Sequence, residues 1–421
     1  MRTVARLAVV AAACVALTGG VAAGFQRGPA ATFVYPRDLT EQQLRLRLQS
    51  SSEPTTILFQ PGTYVFSPQL YVYNRSNLAL CGNSSNPGDV VIESAGNGGS
   101  GTGAAAILLE QAEHVSFRSL TIRGTAPGGQ ALRLNATLSD EFSGFVDDVL
   151  VDRCRLEAPV PVIATAAARN LTLNASRIQV GASDSIGVLW GDGEGLQISG
   201  SRFTTAPGVS AFSAVFVQGA SVAASLGERT AHVLLTGNRV RGDFVRGFDL
   251  ADVLDARVTS NRISFTGDVI RPGSNATGGV DTGRVGVLLR RGDASGLPED
   301  FELRRNRVRN ALYGVWLFNA GGGVVDRNDF QRCGSPQPDD FFNEYGGGVR
   351  LTLQSANCRI RIERNDFRRL RSPDAVSDGQ GGIADVPAVV VLPGEQSDAC
   401  FADGGATNRL SRGRVLYVGA P

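Results

Sequence analysis

The sequence contains no lysine. All 41 of its basic residues are arginine, which excludes a lysine base, a Schiff-base amine and the ammonium point charge used by many phosphate sites. Histidine is almost as scarce, with only His114 and His232. No Ser-His-Asp arrangement and no zinc motif can be built around them. Each stands just before an apolar alternating segment, a placement that fits a turn. The formal net charge is +1, so no general attraction to nucleic acid or to an anionic membrane is expected. After the N-terminal residues no stretch of about 18 apolar residues occurs, so no membrane-spanning helix is expected. None of the six cysteines is spaced as Cys-x-x-Cys, which removes the commonest thiolate metal site.

The first residues read as a targeting segment. Arg2 and Arg6 form a basic start, Leu7 to Leu17 an apolar run, and Val21-Ala22-Ala23 a small-residue cleavage site. The expectation is a signal peptide over 1–23 and export to the periplasm or beyond the cell. Five cysteines would remain: Cys81, Cys154, Cys333, Cys358 and Cys400. Export permits disulfides, and an odd count leaves at least one thiol unpaired. Cys333 with Cys358 and Cys358 with Cys400 are competing pairs, while Cys154 reads as a buried thiol.

What the chain does have is a phrase that keeps returning. Two apolar residues at alternate positions lead to Asn, and one more apolar residue follows. It occurs in Val233 to Val240 around Asn238, and again around Asn261, Asn306, Asn328 and Asn365. Weaker copies place Ser201, Ser176, Cys154 and Leu120 in the Asn slot. A second phrase, Gly-Val-x-Leu, alternates with the first at Gly286 and Gly314, with relatives at Gly187, Gly247 and Gly348. The step from Gly314 to Asn328 is 14 residues and that from Asn306 to Gly314 is 8, so a minimal coil is 22 residues. Alternation with period two means strand, not helix. Short strands returning once per coil predict an all-β fold: a single-stranded right-handed parallel β-helix, a solenoid of about nine or ten coils. Side-chain amides in successive coils can bond up and down such a stack, so the Asn residues read as structural.

Near the N-terminus, Leu39 to Leu48 reads as a short amphipathic helix with Asp38 or Thr40 as N-cap. A strand, a Pro61-Gly62 turn and a second strand follow in Thr56 to Tyr64. This order, with its Pro61-Gly62-Thr63-Tyr64 segment, resembles the start of pectate-lyase-like secreted β-helix proteins. The resemblance implies a capping helix within an N-terminal segment at 24–50 and one β-helix domain over 51–421. It covers the architecture and specifies no reaction. The Gly-His-Gly and Arg-Ile-Lys signatures of polygalacturonase-like β-helices are absent, as is the Asp-Pro-His-Asp signature of mannuronan epimerase-like ones.

The coils that break the 22-residue count point to a site. Asn261 to Gly286 takes 25 residues in place of 8, Asn328 to Gly348 takes 20, and Asn365 to Ala388 takes 23. All three insertions fall just before the Gly-Val-x-Leu strand, and solenoid insertions often flank a binding face. With Val315 and Leu317 inward, Phe216, Asp249, Leu288, Trp316 and Arg350 form one outward column. Gln218, Ala251, Arg290, Phe318 and Thr352 form the next. Exposed aromatics beside arginine suit a sugar ring and a uronate carboxylate. Trp316, Phe318, Phe216 and Asp249 are therefore expected to bind substrate, with Arg290, Arg350, Asp339, Asp340 and Glu344 as candidate catalytic groups. Asp249, Asp252 and Asp255 do not have metal-site spacing in a strand, so no protein metal site is expected. Three functions fit: a lyase-type polysaccharide enzyme, which would need a neutralising cation such as calcium, a non-catalytic polysaccharide binder, and a surface or periplasmic scaffold. The expected form is a monomer with a polysaccharide partner and no nucleic-acid partner.

Overall fold

The computed structural model describes residues 30–94, 105–134, 137–139, 142–164, 168–191, 193–218, 230–269, 283–290, 300–335, 346–352, 359–371, 389–391, 407–410 and 418–419. Residues 1–23, where a signal peptide is expected, lie outside these residues. The chain divides into two compact units. One takes residues up to Ala182 together with Gly187–Ser201, and the other takes Ser183–Ile186 and the residues from Arg202 onwards.

Both units are built from one kind of coil, and the fold is a right-handed parallel β-helix. Each coil contributes a Gly-Val strand, a strand leading to the Asn slot and a strand following it. In the second unit the Gly-Val strands are Ala211–Gln218, Phe244–Ala251, Val285–Arg290, Tyr313–Phe318 and Gly347–Thr352. They stack in parallel register, so that Phe248, Val287, Val315 and Val349 align through successive coils and all are buried. In the first unit the strands Val146–Asp152, Arg169–Asn174 and Glu194–Ser199 stack in the same way. Leu171 and Leu173 there meet Leu196 and Ile198 inside the coil.

The Asn slot is a hydrogen-bonded ladder. Asn261 Nδ2 donates to Asn306 Oδ1 at 3.0 Å, Asn306 Nδ2 to Asn328 Oδ1 at 3.0 Å, and Asn328 Nδ2 to Asn365 Oδ1 at 3.0 Å. Each Oδ1 also accepts a backbone N–H of the preceding rung, as from Asn306 N at 2.9 Å. One amide thus serves two buried donors and supplies two bonds of its own, the second to a carbonyl such as that of Val258 at 2.7 Å, which is why an amide suits the position. The ladder runs one rung further than the repeat count, to Asn408, whose Oδ1 accepts from Asn365 N at 2.8 Å. In the first unit hydroxyls replace amides: Ser201 Oγ accepts from Ser176 N, and Ser176 Oγ from Cys154 N, both at 3.1 Å. The Cys154 thiol is buried, and burial pushes its pKa up to about 12. Cys81 is likewise buried, and Cys333 is buried as a free thiol, so it does not take the pairing with Cys358 that its spacing allowed. Its thiol instead lies 3.7 Å from the Val308 carbonyl. Cys358 and Cys400 lie outside the described residues.

The glycine of the Gly-Val phrase marks a bend at which two successive residues face the interior. A Cβ at Gly314 would sit 2.2 Å from a Phe330 ring carbon and 2.6 Å from the Gly348 carbonyl. Gly286 and Gly247 meet the next coil's backbone equally closely, at 2.4 Å each. Gly314→Ala is therefore expected to lower stability by about 2 kcal/mol through overpacking, read as a fall in the urea midpoint. An unchanged midpoint would contradict this account of the bend.

The N-terminal helix is Glu41–Arg47, and Thr40 is its N-cap. Thr40 Oγ1 accepts from Gln43 N at 3.3 Å and Gln43 Oε1 accepts from Thr40 N at 2.8 Å, a reciprocal capping box. Glu41 in the first turn and Arg45 and Arg47 in the last complement the helix dipole. Leu44 and Leu48 are fully buried. The strands Thr55–Phe59 and Gly62–Phe66 flank the Pro-Gly turn. Tyr64 packs there on Phe59 and Tyr35 and donates its hydroxyl to the Gln60 carbonyl at 2.9 Å.

Both histidines stand within strands, Ala105–Arg118 and Thr230–Thr236, and not in turns, at left-handed positions with φ of 52° at His114 and 58° at His232. Each ring meets an aspartate of the next coil, His114 with Asp148 at 2.8 Å and His232 with Asp255 at 3.0 Å. The hydrogen bond from His232 holds the Asp255 carboxyl below the usual carboxylate range. Asp147 lies in the strand Val146–Asp152 and accepts from Asn170 Nδ2 at 2.8 Å.

Candidate functional site

The outward columns of the second unit have the predicted register. Phe216, Asp249, Leu288, Trp316 and Arg350 lie opposite one another in successive strands. Gln218, Ala251, Arg290, Phe318 and Thr352 form the neighbouring column in the same strands.

The expected exposure is corrected. Trp316 is only 5% exposed, and Arg350 and Asp249 are 0% exposed. Trp316 packs with Val285, Leu288, Leu312 and Tyr313 as an apolar cluster outside the Gly-Val strand, with Phe318 against its edge. Its indole Nε1 donates to Thr352 Oγ1 at 2.9 Å. The Arg350 guanidinium lies over two rings, 4.4 Å from the Trp316 centroid and 4.8 Å from that of Tyr313. This strip is therefore a second, outer core. Direct contact with a large ligand at Trp316, Arg350 or Asp249 is blocked as the chain stands. Asp339, Asp340 and Glu344 lie outside the described residues.

What stays accessible is Phe216, Arg290 and Phe318, each half-buried. Arg290 is anchored from beneath, where its Nε donates to Asp249 Oδ1 at 2.9 Å, and its side chain remains 31% exposed. Its guanidinium lies 5.6 Å from the Phe216 ring centroid. The other Asp249 oxygen accepts from Arg246, whose guanidinium lies 4.8 Å over Phe212. Phe212 in turn packs edge-on to Phe216, with centroids 5.9 Å apart. One fully buried carboxylate thus fixes two arginines, each backed by a ring. Such a charge is tolerated inside only because it is paired on both oxygens.

Arg246, Phe212 and Tyr313 are members that period-two counting misses. The glycine bend displaces the alternation, so Arg246 reaches Asp249 three positions along the chain. Tyr313 joins Trp316 across the same interval. The signal available in the sequence was the Gly itself, which repeatedly follows a large residue, as in Arg246-Gly247 and Tyr313-Gly314.

A second constellation that no motif flagged lies in the first unit. Tyr71 donates its hydroxyl to Glu110, and its ring stacks on Tyr73 with centroids 5.4 Å apart. Arg133 shares a column with Tyr71, aligned through Leu108. Burial, then the bond to and charge of Glu110, raise the Tyr71 pKa. Burial lowers that of Arg133. A phenol in this state donates a hydrogen bond and does not serve as a base near neutral pH.

Among the described residues no three His, Cys, Asp or Glu side chains converge as a metal site. Asp249 is held by Arg246 and Arg290, Asp255 meets His232 and Arg257, and Asp252 is buried. These carboxylates therefore do not fit the cation that a lyase would use.

No family model matches the chain, and no curated protein sequence matches it. Its likeness to solved structures is in fold. DFA-IIIase from Arthrobacter chlorophenolicus A6, in complex with GF2, aligns at a TM-score of 0.53 and 13% identity, over 92% of this chain and 92% of its own. A mutant of the same protein in complex with DFA-III aligns at 0.51 and 14%, over 85% and 84%. Pectin methylesterase PemA from Erwinia chrysanthemi aligns at 13% identity over 92% of this chain and 94% of its own, with a TM-score of 0.29. The fold shared with the DFA-IIIase structures is the right-handed parallel β-helix.

Proposed function

We propose that this is an exported protein that binds a polysaccharide through the face of Phe216, Arg290 and Phe318. One observation carries the reading: Arg290 is held on a buried carboxylate with its guanidinium 5.6 Å from the half-exposed Phe216 ring, and half-exposed Phe318 is its partner in the next strand. A fixed guanidinium offers planar donors to sugar hydroxyls or a uronate, and flanking rings suit the apolar face of a pyranose. Binding is favoured over a lyase reaction because a proton-abstracting base is lacking among the described residues of this face. Asp249 is buried and doubly paired, Arg350 is fully buried, and lysine is absent. The names of the similarly folded structures, DFA-IIIase complexes with GF2 and DFA-III, fit a β-helix wall that receives a carbohydrate.

The scaffold reading has one observation in its favour, the covered strip at Leu288 and Trp316. Affinity electrophoresis of the protein through gels containing neutral or uronate polysaccharides separates the two. Arg290→Ala is expected to weaken retention by roughly tenfold, the scale of one central contact in an interface. Retention in none of the gels would sink the binding reading. A steady rise in ultraviolet absorbance from unsaturated product would restore the lyase reading.

A further inference from the structure

The strands that follow the Asn slot carry a different chemistry. In the second unit Arg202, Arg239, Arg262 and Arg307 lie opposite one another in four successive strands. Two positions along, Arg241 and Arg309 align through Ser264. All six arginines are exposed, while Phe203, Val240, Ile263 and Val308 between them are buried and fix the outward direction. Arg307 has a carboxylate partner, Asp329 at 2.8 Å. The other five make no ion pair and no side-chain hydrogen bond among the described residues. Five of the six line one shallow recess together with Asn310. In the Arg202 column the arginines give way at one end to Asp329 and Asp366.

Like charges directly opposite each other destabilise a sheet, and neighbouring positions here are ~4.8 Å apart. A row of unneutralised guanidinium groups at that interval is relieved by a ligand with regularly spaced negative charge. We propose that this face binds a linear anionic polysaccharide with one carboxylate per sugar, laid along the row. The coil interval is on the scale of one sugar ring, and the arginine fork pairs with carboxylates through two parallel hydrogen bonds. Nucleic acid fits less well, because among the described residues this face has no exposed aromatic ring on which bases could stack. The near-zero net charge also confines the attraction to this strip. The inference does not rest on the Arg290 face, which belongs to a different strand of the coil.

The test is isothermal titration of the full chain and of the double variant Arg239→Ser with Arg262→Ser, using polygalacturonate, neutral dextran and oligothymidylate. The wild type is expected to bind polygalacturonate, more weakly as salt screens the charges. The double variant should lose about tenfold in affinity, each exposed ion pair being worth a fewfold. Its unfolding midpoint should not fall, because the side chains removed are exposed and repel one another. Failure of the wild type to bind polygalacturonate at low salt overturns the proposal, as does a double variant with wild-type affinity. Tighter binding of oligothymidylate overturns it in favour of nucleic acid. The Arg290→Ala variant separates the two faces: loss confined to it removes the arginine strip and keeps the Arg290 reading, and loss confined to the double variant does the reverse.

Discussion

Asn306→Ala should lower the stability of the second unit by roughly 4 kcal/mol, as two to three buried polar groups lose their partners at about 1–3 kcal/mol each. Asn306 Oδ1 accepts from both the N–H and the side-chain amide of Asn261, each at 3.0 Å. Its Nδ2 donates to the Val258 carbonyl at 2.7 Å and to Asn328 at 3.0 Å. Alanine removes all four bonds and leaves a slot that is 2% exposed to solvent, too closed for water to enter freely. Asn306→Ser should lose about half as much, because a hydroxyl can still accept one N–H, as Ser201 does from Ser176. Urea unfolding followed by far-ultraviolet circular dichroism reads both. An alanine variant within about 1 kcal/mol of the wild type would show the amide ladder to be ornamental.

Asp249→Ala should be comparably severe, at roughly 3–5 kcal/mol, because it strands a buried cation. Arg246 is almost wholly enclosed and would lose its bond to the Asp249 carboxylate while keeping its ring contact to Phe212. The remedy tests the cause: adding Arg246→Met removes the stranded charge and should restore more than half of the loss. Glycan retention should stay low in the double variant, since Arg290 would still lack its anchor. Recovery of stability without recovery of retention separates the two roles of Asp249. A double variant no more stable than the single would mean that the ion pair is not the source of the loss.

The wall of the β-helix was legible because its constraints are local and periodic. Val-x-Leu before Asn238 and Gly-Val-x-Leu at Gly286 fix strand direction, inward face and column register, and each column lies as the spacing required. The cap was legible for the same reason, since Thr40 and Gln43 are three residues apart. Burial of the outward face was not. Alternation says that Trp316 leaves the interior but is silent on what packs over it. The bend at Gly247 also escaped a period-two count and hid Arg246. Asn408 was missed because Asp403-Gly404-Gly405-Ala406-Thr407 before it lacks the apolar alternation that announces the other rungs, although Asn408-Arg409-Leu410 repeats the wording of Asn238-Arg239-Val240. Tyr71 and Glu110 are 39 residues apart, and only stacking brings them together.

The amide ladder is indifferent to the length of chain between its rungs. Asn306 and Asn328 are 22 residues apart and Asn261 and Asn306 are 45 apart, yet both pairs close at 3.0 Å. Lengthening a closed loop costs only about 0.6 kcal/mol per doubling, far less than a lost rung. The molecule can therefore acquire new segments at one junction while its wall keeps the same stability. Novelty and foldedness are inherited separately, which makes such a coil a permissive host for grafted loops.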